Sequence, residues 1–230
     1  MRTLSSVVVG LALSVLVVGL TLYPMTHATL TRILVDRFDD AQQIGLTSRQ
    51  IRATAEQVRQ FVTDTEVPAL PATVAGRSGY DAAAVAHLLD VRRVISGART
   101  LTGVLAALVA VWLGVVIARS RFDYIPPALF VGAGCCVAIV VLGGLAGTLD
   151  FDALFTWFHG LFFAAGTWQF PADSLLIEVF PEQFWSSAAL VWASLILLGG
   201  GVLAVAGVLV RHGLRGVAHS TPRGDSAASA

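Results

Sequence analysis

Four long apolar blocks, residues 4–23, 100–118, 124–147 and 185–210, constrain this chain more than any other feature. Each supplies roughly the 20 residues of helix needed to cross a hydrocarbon core. Inside such a core every backbone N–H and C=O must be paired within its own segment, so an apolar run of this length spans as a helix. The chain therefore reads as an all-α integral membrane protein with four transmembrane helices. Composition agrees: 13% of residues are charged, against about 25% in soluble domains, and the mean hydropathy is +0.76. Arg2 ahead of the first block and Thr26-His27-Ala28 after it resemble a signal peptide. The apolar stretch is longer than the roughly 7–15 residues of a signal h-region, so it is expected to be a retained span.

Arginine placement orients the spans. Arg119 and Arg121 lie in the short connection 119–123, and Arg211, Arg215 and Arg223 follow the fourth block, whereas residues 148–184 carry no basic residue and hold Asp150, Asp152, Asp173, Glu178 and Glu182. Both termini are thus expected to be cytoplasmic, with residues 24–99 and 148–184 extracytoplasmic. The arginines of the 24–99 stretch do not oppose this, because the rule applies to short loops.

Residues 24–99 read as a helical extracytoplasmic cap. Leu30, Ile33, Leu34, Phe38 and Ala41 recur at helical spacing, with Gly45 as the stop. Thr47 and Gln50 form a capping-box pattern ahead of a helix whose apolar face is Ile51, Ala55, Val58 and Phe61 or Val62. Pro68 and Pro71 end it, and the Pro, Gly and Ser content up to Gly79 predicts a loop. Asp81 can then cap a helix carrying Val85, Leu88, Leu89, Val94 and Ile95 that continues toward the second span. Residues 211–230 are expected to form a cytoplasmic tail, disordered from His219 onward.

The 148–184 segment is dense in aromatic rings, among them Phe151, Phe155, Trp157, Phe158, Phe162, Phe163, Trp168, Phe170, Phe180 and Phe184, with Trp185 opening the fourth span. That density suits the level of the lipid headgroups, either as an interfacial belt or as the lining of a groove for acyl chains.

Zero net charge and the lack of a basic stripe exclude nucleic acid as a partner. The two cysteines, Cys135 and Cys136, are adjacent in an apolar run and read as packing residues without a disulfide. Two histidines, His87 in His-Leu-Leu-Asp-Val-Arg-Arg and His159 in Trp-Phe-His-Gly-Leu-Phe-Phe, fall on the same expected side of the membrane. Imidazoles take and give protons at neutral pH, which suits acyl transfer by general acid and base steps; surface or capping histidines are the plainer alternative. Asp90, three residues after His87, can orient that ring or pair with Arg93. Two histidines and a carboxylate can also ligate zinc, yet no metal-ligand spacing, phosphate loop or GxSxG elbow occurs, and neither metal nor cofactor is expected.

The runs Phe158-His-Gly-Leu-Phe-Phe, Trp168-Gln-Phe-Pro-Ala-Asp173 and Leu176-Ile-Glu-Val-Phe-Pro-Glu-Gln-Phe-Trp185, with His87-x-x-Asp90-Val91 upstream, resemble the blocks of the bacterial lipoprotein intramolecular transacylase family. The order of one span, a long outer domain and three further spans is similar to that family end to end. The resemblance implies a membrane acyltransferase of the bacterial plasma membrane whose substrate is the diacylated N-terminal cysteine of a lipoprotein. It would move the sn-2 acyl chain from the glyceryl ester to the α-amine, with membrane lipid as its surroundings. By motif, the family's essential histidines correspond to His87 and His159, and Asp90, Trp168, Asp173, Phe158 and Trp185 are supporting residues. Direct transfer and a transient acyl-imidazole are both open, and Trp168 or the amides around Gly160 could hold the oxyanion. A lipid- or partner-binding envelope protein is the alternative from another class.

Overall fold

The computed structural model describes residues 2–38, 44–64, 66 and 69–220. Ala41, Pro68 and the tail residues 221–230 lie outside the described residues. Among the described residues, eight helices and one two-stranded hairpin follow in order: α1 (Arg2–Met25), α2 (Ala28–Arg37), α3 (Ser48–Thr63), β1 (Thr73–Val74), β2 (Arg77–Ser78), α4 (Ala82–Ala118), α5 (Ile125–Leu149), α6 (Phe151–Gly160), α7 (Leu175–Val179) and α8 (Glu182–Ser220). A single 3₁₀ turn, Phe122–Tyr124, links α4 to α5.

Among the described residues, α1, α4, α5 and α8 are the four helices long and apolar enough to span a membrane. In their bundle α5 packs against both α1 and α8, and α1 also against α4. Because lipid tails are as apolar as leucine, such helices associate by close packing at small residues. A side chain at Gly10 would meet Val131 at 2.6 Å and the Ala128 carbonyl at 2.8 Å, and one at Gly200 would meet Cys136 Cβ at 2.9 Å. Cys136 is fully buried there and both cysteines are free. Trp192 Nε1 on α8 donates to Thr21 Oγ1 on α1 across 2.9 Å, satisfying an indole N–H inside the bundle. Leu108, Val111, Leu142, Leu198 and Leu209 face outward as the lipid-exposed girdle.

The cap is built on α4. Its 37 residues make a rod of about 55 Å, well beyond a core of about 30 Å. The polar first half, with Asp90, Arg92, Arg93 and Arg99, stands clear of the apolar stretch that begins at Leu101. The local start signals are used as the sequence predicts. Thr47 and Gln50 close a reciprocal capping box at α3, and Asp81 accepts from the Ala84 N–H at 2.7 Å to start α4.

Ile51, Ala55, Val58 and Phe61 of α3 bury against Leu34 and Val35 of α2, Ala84 and Leu88 of α4, and Leu175, Leu176 and Val179 of α7. Helix α7 thus ties the aromatic segment into the cap core. The C-terminal carbonyls of α3, otherwise orphaned, are taken by arginines of α4: Arg92 Nε donates to the Phe61 oxygen and Arg99 Nη1 to the Thr63 oxygen at 2.9 Å.

Three features differ from the sequence reading. The stretch expected as an irregular loop before Gly79 contains the β1–β2 hairpin, paired Thr73 to Ser78 and Val74 to Arg77. Its turn runs through Ala75 and Gly76, both at positive φ. The aromatic segment, given no regular structure, holds α6 and α7 between loops. Finally, α8 runs past residue 210 to Ser220, so the first part of the expected tail, including His219, is helical.

Candidate functional site

His87 sits in the second turn of α4, and His159 in the last turn of α6. The fold brings them together: their ring centroids are 6.3 Å apart with planes 28° from parallel. Phe163 meets the His87 ring edge-on at 4.9 Å and Phe170 lies at 5.5 Å. Around His159, Phe155 lies at 4.0 Å, Trp168 at 4.6 Å and Phe163 at 5.6 Å. Both imidazoles therefore stand in an aromatic enclosure that supplies little hydrogen bonding to a charged ring.

The two rings are held differently. His159 Nδ1 is 2.8 Å from the Phe155 carbonyl oxygen, one turn back along α6. In the neutral ring that contact requires the proton on Nδ1, which leaves the Nε2 lone pair available. His87 is buried, and its Nδ1 has no hydrogen-bond partner among the described residues. Burial pushes the His87 ring down to about 4, the facing His159 adds to the depression, and Asp90 opposes it. Burial likewise lowers His159, partly offset by the bond to Phe155. Both rings are neutral at pH 7, and each disfavours a charge on the other.

Of the supporting residues expected from sequence, Trp168 lies against His159, and Phe158 contacts the same ring edge-on at 5.7 Å. Trp185 acts at one remove: it packs on Phe155 at 6.2 Å while its Nε1 donates to the Phe180 oxygen at 3.0 Å. Asp90 is paired with Arg93, and it reaches His87 through charge alone. Asp173 is exposed, outside the ring cluster. No group of His, Cys, Asp or Glu among the described residues is arranged to hold a metal.

Sequence reasoning did not single out Phe155, Phe163 or Phe170 as site residues. Phe155 and Phe163 stand four residues either side of His159, and that spacing was the available signal. Nothing local marked the ion pair between Arg77 Nη2 of β2 and Glu178 Oε2 of α7, 2.6 Å apart. Arg77 also donates to the Ile44 oxygen, so the strand leading into α4 is clamped to the helix that follows the His159 loop. Tyr80, next to the α4 cap, is buried with no partner for its hydroxyl among the described residues, and burial raises it.

The rings of the aromatic segment divide between two faces. Phe155, Phe163, Trp168 and Phe170 turn toward the histidines, while Trp157, Phe158, Leu161 and Phe162 are exposed along α6 and just after it. No residue of α6 is buried in the protein. An apolar helix with that exposure belongs at the lipid boundary.

The family model for the lipoprotein intramolecular transacylase Lit matches residues 4–185. The solved structure of the membrane-integral lipoprotein intramolecular transacylase Lit from Bacillus cereus superposes with a TM-score of 0.78 at 16% identity, covering 94% of this chain and 98% of its own. Two variants of that protein, with a histidine replaced by arginine or by alanine, superpose with TM-scores of 0.73 at 15% identity. Each covers 94% of this chain, and 95% and 96% of their own lengths respectively. At such identity the likeness shows the shared four-span fold. No curated protein sequence matches the chain.

Proposed function

The chain belongs to the lipoprotein intramolecular transacylase family, and we propose that His87 and His159 perform its acyl transfer on the diacylated N-terminus of a bacterial lipoprotein. As a member it is a membrane acyltransferase. The observation that carries the proposal is the facing pair of neutral imidazoles 6.3 Å apart in an aromatic enclosure. That separation lets an ester group held at the edges of the two rings, where their nitrogens point, come within hydrogen-bond reach, about 3 Å, of a nitrogen on each.

The tautomer of His159 supports giving it the base role. With Nδ1 committed to the Phe155 oxygen, Nε2 takes the proton from the α-amine as its nitrogen attacks the sn-2 ester carbonyl. The tetrahedral intermediate collapses with C–N bond formation complete and the C–O bond broken. The proton on His159 passes to the departing sn-2 oxygen. His87, neutral at pH 7, donates its remaining N–H to the oxyanion while charge develops there. Repulsion between the rings keeps His87 neutral while His159 carries the proton. Amine and ester share one substrate molecule, so folding it into the enclosure supplies the proximity. The acyl chains lie along the exposed face of α6.

The reading places the enclosure on the extracytoplasmic face with both termini in the cytoplasm. This is supported by the arginines at 119, 121, 211 and 215 and the acidic residues of 148–184. A reporter lipoprotein co-expressed with the chain in a host without other N-acylating enzymes tests the function. Mass spectrometry of its N-terminal lipopeptide is expected to show N-acyl S-monoacylglyceryl cysteine. A persistent free amine on an intact diacylglyceryl group, with folded enzyme in the membrane, overturns the substrate assignment.

A further inference from the structure

Where α1 leaves the apolar region, a cavity of about 640 Å³ opens between the end of α1, the C-terminal end of α3 and the middle of α4. It contains neither working histidine, and Tyr23, His27, Arg59, Asp64 and Arg99 line it. We propose that this cavity binds the phosphate group of an anionic membrane lipid.

The arginines are positioned by other contacts before any ligand arrives. Arg99 Nη1 donates to the Thr63 oxygen at 2.9 Å, its Nη2 to Thr26 Oγ1 at 3.3 Å, and the guanidinium lies over the Tyr23 ring at 5.7 Å. Among the described residues no carboxylate pairs with it. Its Nε and the second hydrogens of both terminal nitrogens remain to bind an anion in the planar fork that suits phosphate. Arg59 is neutralised by Glu56 at 2.6 Å but directs Nη1 toward Thr26 and Thr63 on the same wall. His27 accepts from the Thr29 N–H on Nδ1, so its neutral ring carries the proton on Nε2 as a further donor. Asp64 is the opposing charge in the lining.

Depth selects the ligand. The apolar stretch of α1 ends at Met25, and that of α4 begins two residues after Arg99, at Leu101. The cavity is therefore level with the headgroups of the leaflet on the cap side, where Tyr23 sits as a boundary aromatic. A phosphodiester at that level meets Arg99 without leaving its bilayer. With the Arg59–Glu56 pair neutral, Arg99 and Asp64 nearly cancel. A net negative lipid is preferred over a zwitterionic one because it presents no ammonium to the arginine.

The test incubates the purified full-length chain with vesicles of equimolar phosphatidylglycerol and phosphatidylcholine and counts retained lipid by native mass spectrometry. Phosphatidylglycerol is expected to be retained severalfold over phosphatidylcholine: both offer Arg99 a phosphate, and only the choline ammonium is repelled by the guanidinium. Arg99→Gln removes that preference. Because Arg99 also ties α1 to α3, Asp64→Asn supplies the second arm: its side-chain oxygen still accepts from the Glu66 backbone N–H, and losing the competing charge raises retention severalfold. Equal retention of the two lipids by the native chain, or a preference that Asp64→Asn leaves unchanged, overturns the proposal. Displacement of the lipid by millimolar inorganic phosphate, with equal protection against heating, assigns the same chemistry to the free anion and overturns the lipid source.

Discussion

His87 and His159 face each other at 6.3 Å with near-parallel rings, one from the cap's long helix and the other from a helix none of whose residues is fully buried. A base and an oxyanion donor that serve one transition state act as a unit, so their removal is not additive. His87→Ala and His159→Ala are each expected to lower kcat by at least about 10³-fold, and the double variant to be no more than a few-fold worse than either single one. Single-turnover conversion of a synthetic diacylated lipopeptide measures all three. A product of the two single effects in the double variant would mean that the rings act in separate steps.

The pH profile follows from the lowered rings. In the proposed mechanism both histidines act as neutral groups; burial pushes His87 from its ordinary 6.5 down to about 4 and also lowers His159. The acid limb of kcat is therefore expected below 6.5, leaving activity flat through pH 7. Stability moves the same way. As the folded rings resist protonation, the unfolded chain binds protons first, and the contribution of these histidines is complete above about 6.5 and falls away toward 4. A profile of kcat with its acid midpoint at or above 6.5 would contradict the burial of the pair.

Trp168 lies 4.6 Å from His159 at an interplanar angle of 31°. If that contact works by packing the ring in place, Trp168→Phe keeps it, and activity is expected within about threefold of the native chain. Trp168→Ala frees the imidazole and lowers kcat by about tenfold or more with a small change in KM. A loss of about 10²-fold in Trp168→Phe itself would instead assign the indole N–H to the oxyanion, since that is the scale of one lost donor.

The spans were legible because a bilayer leaves a helix as the only pairing for a long apolar block, and the starts of α3 and α4 because Thr47 and Asp81 act within a few residues of their own positions. The histidine pair was legible as two titratable groups on one side of a membrane. Their contact was not, as it depends on how the loop after α6 folds back onto α4. Asp90 shows the limit of spacing arguments: three residues separate it from both His87 and Arg93, and the ion pair with Arg93 is the one formed. Two-residue strands such as β1 and β2 bury too little to leave a pattern, and the bridge from Arg77 to Glu178 joins β2 to α7, which are adjacent only once the chain has folded.

That bridge holds the entry to α4 against α7, with both side chains less than one-third exposed. A half-buried pair falls between the roughly 0–1 kcal/mol of a surface bridge and the 3–5 kcal/mol cost of orphaning a buried charge. Arg77→Ala is expected to cost about 2 kcal/mol, Glu178→Ala a similar amount, and the double variant clearly less than their sum. Thermal denaturation in detergent measures the cycle. Additive losses would show that the two charges are independent and that Arg77 acts only through its bond to the Ile44 oxygen.

At the other end of α4 the chain turns through Ser120 at φ 52. The Ser120 N–H donates to the Ile117 oxygen at 3.0 Å and the Arg121 N–H to the Val116 oxygen at 2.8 Å. This paired closure is the one that glycine usually makes, since a side chain in the left-handed region is strained by about 1 kcal/mol. Ser120→Gly relieves that strain while keeping both bonds, at the cost of a more flexible unfolded chain. The strain is the larger quantity, and the variant is expected to melt a few degrees higher with unchanged activity, because the turn lies at the far end of α4 from His87. A lower melting temperature would mean that chain entropy outweighs the strain at this turn.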